Sequence, residues 1–197
     1  VANPSPQYYT DTLATCVTDH IEAVLGRFLQ NKYVLEPLTM AQATMDDGQA
    51  LLGLNDIFIG RQTHASAKYT LEYNGRAERQ FSSGIIVSTG TGSTGWHTSV
   101  MGGAYALSGH QDEVGSFAFE RDAPYLLFTV REPFPSRLSG VDIVYGQISE
   151  ENPLTIISHM SDDGVVFSDG IERDHLAFSA GTNVTITPAN QKVYRVT

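Results

Sequence analysis

Glycines and hydroxyls crowd one short stretch of this chain, Ser88-Thr89-Gly90-Thr91-Gly92-Ser93-Thr94-Gly95, directly after the apolar run Ile85-Ile86-Val87 and directly before Trp96. Such residues at the end of a strand suit a phosphate or a ribose. Backbone N–H groups at a turn attract an anion, hydroxyls add donors and acceptors, and glycine lets the backbone take positive φ and come close to a ligand. Gly90, Gly92 and Gly95 also spell G-x-G-x-x-G, the pattern of a Rossmann dinucleotide unit. Single residues exclude two other chemistries. No Lys follows the glycines as a P-loop needs, and Thr91 stands where a nucleophile elbow around Ser93 needs Gly.

The elements around the loop decide against the Rossmann reading. Leu13, Cys16, Val17, Ile21, Val24, Leu25, Phe28 and Leu29 recur at helical spacing, so residues 11–30 are expected to form one long helix capped by Thr10 or Asp11. After it, strand and turn signals dominate. Residues 33–44 read as extended, Asp46-Asp47-Gly48 as a turn, and 51–60 as the returning strand. A second hairpin places Tyr69, Leu71 and Tyr73 on one face, Asn74-Gly75 at its turn and 76–81 on the way back. Residues 85–89 form a continuous apolar strand, and 96–107 a short helix carried by the loop. Further strands are expected at 125–130, 141–145, 154–159, 164–168, 184–187 and 193–196, with turns at Asp162-Asp163-Gly164 and Asp169-Gly170.

Ten or so short strands favour a mainly β, sandwich-like domain over a doubly wound sheet, which needs helices between its strands. Asp112 or Glu113 lies at the right distance for a Rossmann ribose-binding acid. However, two antiparallel hairpins precede the loop, and the required second parallel strand at 113–119 is short and broken by Gly115.

Composition narrows the partners. The chain has 197 residues and a net charge of -10, with a pI near 4.9. Its acidity argues against nucleic acid, whose binding rests on clustered Lys and Arg. No apolar run approaches the roughly 18 to 20 residues of a membrane span, and no signal-peptide pattern opens the sequence. The single cysteine, Cys16, excludes an internal disulfide and fits a cytoplasmic setting. Asn183-Val184-Thr185 spells a glycosylation acceptor that carries no weight without a secretory signal.

The order of motifs resembles a known family. Leu54-Asn55-Asp56-Ile57-Phe58-Ile59-Gly60, then Ser83-Gly84-Ile85-Ile86-Val87-Ser88-Thr89-Gly90-Thr91-Gly92-Ser93-Thr94-Gly95-Trp96, and finally Asp169-Gly170 with Gly181 look like the carboxy-terminal domain of NAD kinases. The likeness spans almost the whole chain. It is nearest to the mitochondrial-type subgroup and its bacterial relatives, which share Ser-Ser-Gly and a segment like Leu127-Phe128-Thr129-Val130-Arg131-Glu132-Pro133.

That resemblance implies an enzyme that passes the γ-phosphoryl group of ATP, with Mg²⁺, to the adenosine 2′-hydroxyl of NAD, giving NADP. It implies a substrate-binding set of Asn55, Asp56, Thr89, Thr91, Gly92, Ser93, Thr94, Trp96 and Asp169. Asn55 and Asp56 suit ribose hydroxyls, and Trp96, where most members carry Tyr, would stack on a ring. It further implies a homo-oligomer, a dimer or tetramer, with pockets shared between subunits. Ser83 replaces an Asp that many members use to bind NAD. No Gly-Gly-Asp-Gly occurs here, so the family's proposed catalytic Asp is expected on a separate ATP-binding domain. Residues 1–197 are then expected to be a single NAD-binding domain, a fragment inactive by itself. The rivals are a lipid or diacylglycerol kinase of the same superfamily and a non-catalytic NAD(P)-binding module.

Other residues read more plainly. His20, His64, His97, His110, His159 and His175 show no metal-ligand spacing, so no structural metal is expected. His97 alone lies beside the pocket as a candidate contact. Asp46-Asp47 and Asp162-Asp163 read as turn formers. Arg131 and Arg137 flank a proline loop that could reach a phosphate.

Overall fold

The structure is a computed structural model that describes residues 21–110 and 117–196. Two six-stranded antiparallel sheets face each other across the core, as the sequence leads one to expect of a sandwich. The first runs in the order β2-β1-β12-β9-β4-β5, from Ala50–Gly53 (β2), Leu35–Met45 (β1), Asn183–Val196 (β12), Leu154–Ser158 (β9), Ala67–Tyr73 (β4) and Arg76–Ser82 (β5). The second runs β11-β10-β3-β6-β7-β8, from Leu176–Ala177 (β11), Gly164–Ser168 (β10), Asp56–Arg61 (β3), Ile85–Ser88 (β6), Leu126–Val130 (β7) and Tyr145–Ile148 (β8). Among the described residues two α-helices accompany them, Ile21–Leu29 (α1) and Trp96–Leu107 (α2). The expected helix starts, Thr10 and Asp11, lie outside the described residues, as do Cys16, His20, Asp112 and Glu113.

Alternation explains why the second sheet reads as unbroken apolar runs. Ile57, Ile59, Ile85, Val87 and Val166 point into the main core, while Phe58, Ile86, Val165 and Phe167 form a second cluster against Trp96 and Val100 of α2. Both faces of these strands are covered, so neither face is polar. The Asn74-Gly75 turn joins β4 to β5 with φ of 53° and 69°, the paired positive angles of a tight hairpin turn.

Three expectations need correction. The return at 51–60 is not one strand: Ala50–Gly53 pairs with β1, and Asp56–Arg61 crosses to the other sheet. A Cβ at Gly53 would lie 2.8 Å from the Asp56 carbonyl oxygen, so the crossing folds tightly on itself. Residues 141–144 are not strand, because side chains from β5 take their backbone groups. The Asp142 and Ile143 N–H groups donate to the Glu78 carboxylate, and the Ile143 carbonyl accepts from Gln80 Nε2 at 2.9 Å.

The strands expected at 184–187 and 193–196 are one, β12, shifted in register where Thr39 and Ala41 face it. Its Pro188 is tolerated because β9 pairs only as far as Ile186, leaving one flank open. The expected helix is present over Ile21–Leu29, where Leu25, Phe28 and Leu29 are exposed and Phe28 stacks on Tyr33.

Candidate functional site

Three chain segments meet where β3 begins, β6 ends and β10 ends. Asp169 opens the turn after β10 with φ of 53°, and Gly170 continues it at 71°. This left-handed pair turns the Asp169 carboxylate onto the backbone ahead of β3. Oδ2 accepts from the Leu54 N–H at 3.0 Å, and Oδ1 from those of Asn55 at 2.7 Å and Asp56 at 3.3 Å. The Asp169 N–H in turn donates to the Asp56 carbonyl at 3.0 Å. An ionised acceptor on several N–H donors makes strong, charge-assisted bonds. The bend between β2 and β3 therefore has its shape set from 113 to 115 residues away.

The glycine-hydroxyl loop closes the other side. Thr89 is fully buried; its hydroxyl is shared between the carbonyls of Leu54 at 2.6 Å and Asn55 at 3.1 Å, and it accepts from the Gly92 N–H at 3.1 Å. Ser93 donates to the Gly90 carbonyl at 2.7 Å and accepts from the Phe119 N–H at 3.2 Å. Gly92 and Ser93 belong to a single 3-10 turn, Gly92–Thr94, that leads into α2. The hydroxyls of Thr89 and Ser93 thus brace the loop from within. Thr94 is exposed, and Thr91 is buried with its hydroxyl unpartnered among the described residues.

The glycines act differently from the expectation stated above. None of Gly90, Gly92 and Gly95 has positive φ. A Cβ at Gly92 would stand 2.0 Å from the Asn55 carbonyl oxygen, and one at Gly90 1.9 Å from that of Glu120. They are required for the close approach of one backbone to another.

Asn55 and Asp56 stand half-buried between these braces, and among the described residues their side chains show no hydrogen bond. Burial pushes the Asp56 carboxyl up to about 7, and the charge of Asp169 adds to the shift. An acceptor held this way is ready for a hydroxyl donor. Asn55, Asp56, Thr89, Gly92, Ser93 and Asp169 therefore come together through contact or shared bonds.

Trp96 turns elsewhere. Its ring stacks on Phe58 at 5.6 Å and 11°, Phe58 meets Phe167 at 5.0 Å, and the Arg131 guanidinium lies 5.2 Å from the Trp96 centroid. These side chains line a groove of about 520 Å³ on the outer face of the second sheet, together with Arg61 and Ser83. Arg61 is held by Asp163, with Nε to Oδ2 at 2.7 Å. His97 points inward beneath α2, only 2% exposed, with Nδ1 3.4 Å from the Thr129 hydroxyl. Burial lowers its pKa below the ordinary 6.5.

No family model matches the chain. NAD kinases from two strains of Clostridium kluyveri are each 32% identical to it over 95 residues, covering 46% of this chain and 34% of theirs. The crystal structure of yeast NADH kinase complexed with NADH superposes with a TM-score of 0.65 at 19% identity, over 90% of this chain and 48% of that one. The relatives are NAD kinases. The chain spans about one third of the length of the curated NAD kinases it matches, and the yeast enzyme shows the fold alone.

The aromatic floor of Phe58 and Phe167 is not evident in the sequence. The available signal was that strands apolar on both faces need a second cover.

Proposed function

We propose that this chain is the NAD-binding domain of an NAD kinase. The parent enzyme passes the γ-phosphoryl group of ATP to the adenosine 2′-hydroxyl of NAD. Asn55 and Asp56 carry the reading: a donor-acceptor amide and an acceptor carboxylate, unpartnered among the described residues, on a bend braced by Asp169 and Thr89. Ribose hydroxyls supply the complementary donors and acceptors. The names of the Clostridium and yeast relatives point to the same substrate class.

In this reading residues 1–197 form one binding domain, and a separate domain supplies ATP, Mg²⁺ and the catalytic Asp. Among the described residues no three His, Cys, Asp or Glu side chains come together as a cation site. In this reading the chain's own contribution is binding and orientation, which is most of what phosphoryl transfer asks of a protein. Asp56 in its ionised form accepts from a ribose hydroxyl and Asn55 orients the sugar, while Trp96 faces the neighbouring groove beside Ser83. Assembly into homo-oligomers and a cytoplasmic setting belong to the same proposal. No helix among the described residues is long and apolar enough to cross a membrane.

Calorimetry of the chain with NAD, NADH, NADP and a short-chain diacylglycerol tests this. Saturable binding of a nicotinamide dinucleotide, weakened at least tenfold by Asn55→Ala, is expected. Binding of the diacylglycerol alone, or of no dinucleotide at millimolar concentration, overturns it.

A further inference from the structure

We propose that the outer face of the first sheet is a self-association surface, on which a second copy of this chain packs sheet to sheet about a two-fold axis parallel to the strands. This gives the assembly named above a surface, and it does not depend on the dinucleotide reading. Strand alternation defines the face. Tyr69, Leu71, Leu154, Ile156 and Val184 point into the core, so their neighbours along β4, β9 and β12 point away from it. Among the described residues, the buried apolar clusters lie between the sheets and beneath α2, and neither takes a side chain from this outer face.

The centre of the face carries no charge. Thr44 on β1, Thr185 on β12 and Thr155 on β9 stand in one row, and Ile157 and Thr70 pair in the next. All five are half-buried, and the Thr155 and Thr185 hydroxyls approach to 3.5 Å. The chain has 12 Lys and Arg and 22 Asp and Glu, yet its widest exposed sheet surface keeps them to the margin. A centre depleted of charge inside a polar rim is the composition of a protein–protein contact.

The marginal charges match under the proposed symmetry. On the β4-β5 side, Lys68 and Arg79 are exposed beside Phe81, Lys68 Nζ and Arg79 Cζ each 5.7 Å from its ring. On the far side, Asp46 and Asp47 are exposed in the turn between β1 and β2. Both sets lie at the same end of the strands, because one row runs from Asp46 through Asn183, Ile157 and Thr70 to Arg79. The strand order puts β12 and β9 in the middle. A two-fold axis between them, along the strands, lays β4 on β1 of the second copy and β5 on its β2. Lys68 and Arg79 then face Asp46 and Asp47 of the other copy, twice over, while Thr155 and Thr185 sit at the axis. Facing sheets pack with their strands within about 30° of each other, and opposite charges across the contact fix the register.

Sedimentation velocity tests this on the whole chain. A species of twice the 21.4 kDa chain mass is expected, growing with concentration. Thr155→Lys and Thr185→Lys each set two like charges at the axis and should weaken association at least tenfold, with circular dichroism unchanged. Lys68→Glu and Asp46→Lys should each weaken it, and the double variant Lys68→Glu with Asp46→Lys should recover most of the loss. If a central lysine unfolds the chain, the charge exchange decides alone.

A chain that stays monomeric at millimolar concentration overturns the proposal. So does a dimer indifferent to both central lysines, which would place the contact on another face, and so does a double variant no better than either single one. Failure of NAD to bind while the dimer behaves as expected refutes the kinase reading and leaves this surface standing. NAD binding by a chain that never associates does the reverse.

Discussion

Replacing Asp56 with asparagine separates what this residue costs the fold from what it does for a ligand. Its carboxyl titrates at about 7 in place of the ordinary 3.8, because burial and the neighbouring Asp169 both disfavour the charge. A raised acid favours the folded state when protonated. The penalty is therefore small below pH 4, grows as the pH rises from 4 to 7, and is complete above. At about 1.4 kcal/mol for each tenfold change in proton affinity, the ionised form costs up to about 4 kcal/mol at pH 8 and under about 2 kcal/mol at pH 5.

Asparagine has the same shape and no charge, so Asp56→Asn should be more stable than the parent by up to about 4 kcal/mol at pH 8 and by distinctly less at pH 5. Urea unfolding of both proteins at the two pH values reads this directly, provided the slope with denaturant is unchanged. The same variant should bind NAD at least tenfold more weakly, since a ribose hydroxyl loses its anionic acceptor. A stability difference independent of pH, or a variant less stable at pH 8, refutes the reasoning.

Gly92→Ala should destabilise the chain by about 3 kcal/mol or more, because its Cβ meets the Asn55 carbonyl oxygen at 2.0 Å. Gly103→Ala, with nothing within 4 Å inside α2, should raise stability by about 0.5 to 1 kcal/mol; thermal melting compares the two. Asp169→Asn replaces one acceptor oxygen with a donor facing an N–H, and a loss of about 2 to 3 kcal/mol in urea titrations is expected, with weaker NAD binding. His97 has a lowered pKa, so the neutral ring is favoured in the fold. Its contribution is full above 6.5 and is lost as the pH falls, and His97→Gln should flatten the decline in Tm between pH 7 and 5.

Local chemistry was legible wherever it was self-contained. Asn74-Gly75 announced its hairpin because few other residues tolerate the two positive φ angles, and α2 begins at Trp96 because the glycine loop must end before a helix can start. What depended on distant partners was not. The run 51–60 is apolar on both sides of Asn55-Asp56, and the pair alone does not announce a change of sheet, which is set by Asp169 more than a hundred residues later. Residues 141–144 carry strand-like side chains, yet Glu78 and Gln80 outcompete a ladder for their backbone. At the site, Asn55, Asp56 and Asp169 were recognisable from the order of motifs. The inward use of the Thr89 and Ser93 hydroxyls, and the packing role of Gly90 and Gly92, depend on which backbone lies opposite. Residue types alone do not state that.

The clamp of Asp169 on residues 54–56 also governs when the candidate site can exist. Its walls come from residues early, midway and late in the chain, and no hairpin or helix contains two of them with the bonds that join them. A partly folded chain therefore does not assemble the site, and a ligand of the site binds only the fully folded form. Any dinucleotide held there should act as a chaperone for its own binding site, raising the unfolding free energy by RT ln(1 + [L]/Kd).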